Sequence, residues 1–78
     1  VNKAVILSIE DDTGMHCVDI AQHDDGMFTF KTFRKDPEDE GKWTLVNDYS
    51  KTRYTNEHDA RQAVYEKLPW VREQLKKR

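Results

Sequence analysis

The sequence predicts an α+β fold: a four-stranded antiparallel β-meander followed by a C-terminal helix, kinked or broken at Pro69, packed on one face of the sheet. Two patterns carry this. Through the first half, apolar and polar residues alternate and are interrupted by Asp-Gly turns at residues 11–14 and 24–26. After Thr55 the spacing changes to three and four, with Ala60, Ala63, Val64 and Leu68 on one stripe.

Residues 3–10 (KAVILSIE) are rich in β-branched and apolar side chains and form the first strand, closed by a turn in which Gly14 can take positive φ. The second strand is read over 16–22 and the third over 27–34. Their loop fixes a register, because a one-residue slip would turn every side chain to the opposite face. Asp24, Asp25 and Gly26 fit a three-residue loop that sets Ile20 opposite Phe30, Val18 opposite Thr32 and Asp19 opposite Lys31. This gathers Val18, Ile20, Phe28 and Phe30 on one face, whereas a two-residue loop would place Ile20 against Lys31.

Residues 35–42 (KDPEDEGK) contain no apolar anchor and read as an exposed loop. A fourth strand follows over 43–46, with residues 52–55 extending it or pairing with it after a turn. A helix over 56–67 is expected, with Thr55 as its N-cap and Glu57 and Asp59 in its first turn, where the helix dipole favours acids. Pro69 removes a backbone donor and should break that helix, a second one running over 70–77.

In the first strand, Val5, Leu7 and Ile9 are expected on one face and Ala4 and Ile6 on the other, so both faces are apolar and both call for cover. One helix covers one side. The second cover would be the Trp70 helix folding back, or another copy of the chain.

With 78 residues, 36% apolar and 36% charged, the chain supports one small domain over residues 1–78. A core of that size supplies only about 3 to 5 kcal/mol, which makes self-association a natural second source of stability. Thirteen cationic and fifteen acidic side chains leave a net charge of −2 and no global field to draw in nucleic acid or an anionic membrane. The distribution is uneven. Residues 1–60 hold seven basic and thirteen acidic side chains, and residues 61–78 hold six and two, so a basic tip follows an acidic body. No apolar run approaches the ~20 residues of a membrane-spanning helix, and nothing near the N-terminus reads as a signal peptide. A single cysteine, Cys17, cannot close an internal disulfide, and these features point to the cytoplasm.

His16, Cys17, Asp19 and His23 include every ligand type that zinc uses, but along a strand His16 and Cys17 point to opposite faces and the two histidines bracket the whole strand. No metal site and no cofactor are expected. Glycines 14, 26 and 41 are isolated, so no phosphate-cradling loop is present, and the acids Asp36, Glu38, Asp39 and Glu40 miss the alternating ligand pattern of a calcium loop. No acid, base and nucleophile can be brought together, and an enzyme is not expected.

Two stretches could contact a partner. Residues 27–35 interleave Phe28, Phe30 and Phe33 with Lys31, Arg34 and Lys35, in the manner of base-stacking strands, although Phe28 and Phe30 belong to the expected core. Residues 69–78 put Val71 and Leu75 on one stripe with Leu68, and Arg72 and Lys76 elsewhere. The candidate interaction surface is therefore Lys31, Phe33, Arg34, Trp70, Arg72 and Lys76.

The strings Cys17-Val18-Asp19-Ile20, Asp25-Gly26-Met27-Phe28-Thr29-Phe30 and Arg34-Lys35-Asp36-Pro37-Glu38-Asp39, with Trp43 and the terminal Pro69-Trp70, resemble a group of short uncharacterised bacterial proteins. The chain departs from the group's pattern at Ala21, where a bulky residue is usual. The resemblance implies a small free-standing bacterial domain and no particular activity, substrate or site residue. The expected function is a non-enzymatic protein-interaction module whose partner is another protein or a second copy of the chain. The alternative is weak single-stranded nucleic-acid binding through Phe33, Lys31, Arg34 and the basic tip.

Overall fold

A computed structural model describes residues 3–36, 38 and 40–76. Four strands, β1 (Lys3–Glu10), β2 (His16–His23), β3 (Phe28–Lys35) and β4 (Trp43–Asp48), form one antiparallel sheet in sequence order. Two helices follow, α1 (Glu57–Lys67) and α2 (Pro69–Lys76). The α+β architecture is that expected from the alternation and from the helical stripe.

The β2–β3 register is the one the loop chemistry predicts: Ile20 faces Phe30, Val18 faces Thr32 and Asp19 faces Lys31. His23 N–H donates to Met27 O at 2.8 Å and Gly26 N–H donates to His23 O at 2.9 Å, with Gly26 at φ 85°. A side chain there would be strained, and glycine is the residue that takes this conformation without cost.

Both edge strands carry a register shift. In β1, Val5 pairs with Ala21 but Leu7 pairs with Ile20, so Ile6 is the extra residue. In β4, Asn47 pairs with Thr32 and Leu45 with Phe33, so Val46 is extra. Such bulges reverse the alternation locally. Val5 therefore does not share a face with Leu7 and Ile9, as strict alternation predicts. It lies beside Ala21 on the opposite face, while Leu7 and Ile9 join Ile20 and Val18.

Residues 52–55 do not extend β4. Tyr54 instead makes an isolated bridge to Phe28 of β3, with N···O distances of 2.8 and 2.9 Å. This bridge uses the part of β3 that β4 leaves unpaired, and it holds Tyr54 beside Phe30, to which Tyr49 also stacks at 4.8 Å between ring centroids.

Asn56, not Thr55, caps α1. Its backbone is extended (φ −149°, ψ 163°) and its Oδ1 accepts the Asp59 N–H at 2.8 Å, so the helix starts at Glu57. Leu68 (φ −133°, ψ 78°) leaves helical geometry while its N–H still donates to Val64 O at 2.7 Å. Pro69 forces that departure in the residue before it and then serves as the first residue of α2. Lys77, expected in the second helix, and Pro37 and Asp39 of the acidic loop lie outside the described residues.

The core sits between the sheet and both helices. Ile9, Val18, Ile20, Phe28 and Phe30 of the sheet meet Ala60, Ala63 and Val64 of α1 and Val71 of α2. Leu68, Trp70 and Leu75 close its edge. The Trp70 helix does not fold back over the second face of the sheet. Its apolar stripe is spent on the same face as α1, against α1 and β1. The chain is 18 Å through its shortest dimension, the depth of one sheet and one layer of helix.

Phe30, fully buried and stacked on Tyr49, centres this core. Phe30→Ala is expected to cost about 3 to 5 kcal/mol, enough to unfold a domain of this size, whereas Asn56→Ala costs about 1 kcal/mol through loss of the cap. Urea denaturation followed by far-ultraviolet circular dichroism measures both. Equal effects of the two substitutions would contradict the placement of the core.

Candidate functional site

Among the described residues, no element covers the face of the sheet turned away from the helices. The strand register assigns its side chains in rows: Val5, Ala21 and Thr29; then Ser8, Asp19, Lys31 and Asp48; then Glu10, Cys17, Phe33 and Leu45; then Lys35 and Trp43. Large apolar side chains stand open to solvent on it: Val5 is 56% exposed, Leu45 49% and Trp43 38%. The two bulge residues, Ile6 and Val46, are also exposed. An apolar area of this kind on a chain so small is a feature of interaction surfaces.

A polar row crosses the middle of the face. Ser8 Oγ donates to Asp19 Oδ1 at 2.7 Å, and the Cys17 thiol donates to the same oxygen at 3.3 Å. Lys31 Nζ lies 4.0 Å from Asp48 Oδ2. On the outermost row Lys35 Nζ sits 4.8 Å above the Trp43 ring, a cation–π contact that orients the indole.

Phe33 forms a ridge between two hollows. One, of about 210 Å³, spans β1 to β3 and is lined by Lys3 and Val5 of β1, Asp19 and Ala21 of β2, and residues 29–31 and Phe33 of β3. The other, of about 150 Å³, lies over Cys17 between Ser8, Glu10, Asp19, Phe33 and Trp43. Lys31 beside Lys3 holds the Lys3 ammonium below the usual lysine range; partial desolvation adds to this and Asp48 opposes it.

Cys17 is the only thiol on the face among the described residues. Burial pushes its thiol up to about 11; the Ser8 hydrogen bond opposes that shift, and the carboxylates of Asp19 and Glu10 add to it. A thiol so disfavoured as a thiolate is a structural donor to Asp19. His16 and His23 stand at opposite ends of β2, roughly 23 Å apart along an eight-residue strand. Each has its own partner: His16 Nδ1 is 2.8 Å from Asp11 and His23 Nε2 is 2.8 Å from Thr29 Oγ1. Among the described residues no group of three His, Cys, Asp or Glu side chains converges, and no helix is long and apolar enough to cross a membrane.

The six residues singled out in the sequence do not form one surface. Lys31 and Phe33 lie on the open face, as expected. Arg34, next along β3, points to the helix side and lies 3.8 Å from Asp36. Trp70 is half-buried at the edge of the core. Arg72 and Lys76 are exposed on α2, with Lys76 Nζ 3.6 Å from Glu73. The open face adds Val5, Asp19, Trp43 and Leu45, which sequence reasoning placed in strands without assigning them to this surface. The alternation of Trp43 and Leu45 with the known face of Phe33 carries that information once β4 is paired with β3.

No protein-family model matches the chain, and no curated protein and no solved structure shows significant similarity to it.

Native Cys17 is expected to react with iodoacetamide at about pH 8 roughly a hundredfold more slowly than in the urea-unfolded chain, following its loss of thiolate. Mass spectrometry of timed samples measures the two rates. Equal rates would contradict the buried, hydrogen-bonded thiol.

Proposed function

We propose that the chain is a non-enzymatic protein-interaction module that docks a partner on the open face of its sheet. The observation that carries this is the set of exposed Val5, Trp43 and Leu45 on the same face as Phe33, the side of the sheet that neither helix covers. Burial of such side chains stabilises association by about 25 cal/mol per Å² before the costs of binding, and leaving them in water has no compensating gain within the fold.

The edges of the sheet are poorer docking sites. Bulges at Ile6 and Val46 interrupt the ladder on both edge strands and oppose the addition of a further strand. Nucleic-acid stacking is also less well supported. Phe33 and Lys31 share the face, but Arg34 does not, and the Asp19 and Asp48 carboxylates flank Lys31 in its row. A reducing cytoplasm suits a domain whose cysteine is a free thiol.

Affinity capture with three immobilised forms tests the proposal. Leu45→Glu places a carboxylate on the open face, and Arg72→Glu makes a similar change on α2. A partner retained by the unaltered chain and by Arg72→Glu, but lost with Leu45→Glu, is the expected result. Loss with Arg72→Glu alone would move the docking surface to the helices and overturn the proposal.

A further inference from the structure

We infer that the occupant of the open face is a second copy of this chain, packed face to face about a two-fold axis that runs along the strands between β2 and β3. The inference rests on the open face being the docking surface and adds the partner and its orientation.

Charge decides the orientation. Two sheets can be brought face to face only by a two-fold axis lying between them. An axis across the strands through the polar row would set Asp19 against Asp19, Lys31 against Lys31 and Asp48 against Asp48, three like-charge contacts. An axis along the strands exchanges β2 with β3 and β1 with β4 within each row. Asp19 of one copy then meets Lys31 of the other, twice per dimer, and Ser8 meets Asp48.

Shape agrees with that choice. In the next row Phe33 of one copy comes over Cys17 of the other, where the hollow of about 150 Å³ lies. The larger hollow runs from β1 across β2 to β3 and so reaches the axis, where each copy covers part of the other's mouth. Aligned packing of two sheets in this manner is the arrangement of a β-sandwich, with the helices outermost.

The area suffices. Three strands of eight residues and one of six, about 4.8 Å apart and about 3.3 Å per residue, present roughly 480 Å² per copy, about 950 Å² in total, at the lower edge of specific interfaces. A dimer of modest affinity follows, in equilibrium with the free chain.

Sedimentation equilibrium over a wide concentration range tests this. The unaltered chain is expected at twice its 9.3 kDa mass at high concentration. Lys31→Glu and Asp19→Lys are each expected to weaken the dimer at least about tenfold, and an equimolar mixture to restore it, because opposite charges meet again only between unlike copies. An independent pair avoids the centre of the sheet. The axis places Leu45, half-exposed and outside the core, over Glu10 of the second copy. Leu45→Lys is therefore expected to dimerise about tenfold more tightly than Leu45→Glu, a difference that shrinks with salt.

A chain that stays at 9.3 kDa at every concentration overturns the dimer. In that case partner capture sensitive to Leu45→Glu leaves the docking proposal standing, and its absence removes both. A dimer indifferent to the sign of charge at position 45 and to the mixing of the two charge reversals overturns the orientation.

Discussion

A β-sheet has two faces, and this chain has helical material for only one. That constraint organises the molecule. The stripe of Ala60, Ala63 and Val64 on α1 claims the face of Ile20 and Phe30, and the break at Leu68 and Pro69 turns the chain so that Val71 of α2 reaches the same face near Ile9. Using both helices on one side yields a core in which Phe30, Ile9, Ile20, Val18, Val64 and Val71 are almost wholly buried, and it leaves the opposite face with Val5, Trp43 and Leu45 in water.

The edge bulges decide what that second face contains. At Ile6 the shift turns Val5 outward while Ile9 stays in the core and Leu7 packs against it. At Val46 a matching shift places Leu45 and Trp43 on the open side with Phe33 and Lys35. The same irregularities spoil the ladder for strand addition at the edges. One device thus enriches the face and protects the edges, which leaves the open side as the surface for the association we propose. The polar row from Ser8 to Asp48 runs through the middle of this apolar area and supplies direction, since ion pairs select an orientation where apolar contacts do not.

Much of the architecture was legible in the residues because it is written in local chemistry. Asp24, Asp25 and Gly26 specify a loop, the loop a register, and the register the core-facing set. Pro69 marks the helix break for the same reason: its ring acts on the residue before it. What was not legible depends on pairs distant in sequence. Ile6 is an unremarkable β-branched residue, and its bulge exists only against Ala21 and Ile20. Tyr54 bridges Phe28 because β4 ends short of that part of β3, which no property of residues 52–55 reveals. The choice between Thr55 and Asn56 as cap lay within one residue, and the N–H of Asp59 settled it. For the candidate surface, alternation placed Lys31 and Phe33 together, but adjacency in sequence grouped them with Arg34, which the same alternation sends to the other side.

A second copy of the chain, if it packs as proposed, covers the open face in solution. Hydroxyl-radical footprinting at low and high chain concentration tests it most directly, because labelling reports the accessibility of each side chain. The account predicts that Phe33, Trp43 and Leu45 become protected as concentration rises, while Trp70 on the helix side is labelled equally at both. Unchanged labelling of Phe33, Trp43 and Leu45, or protection of Trp70 in their place, would contradict it.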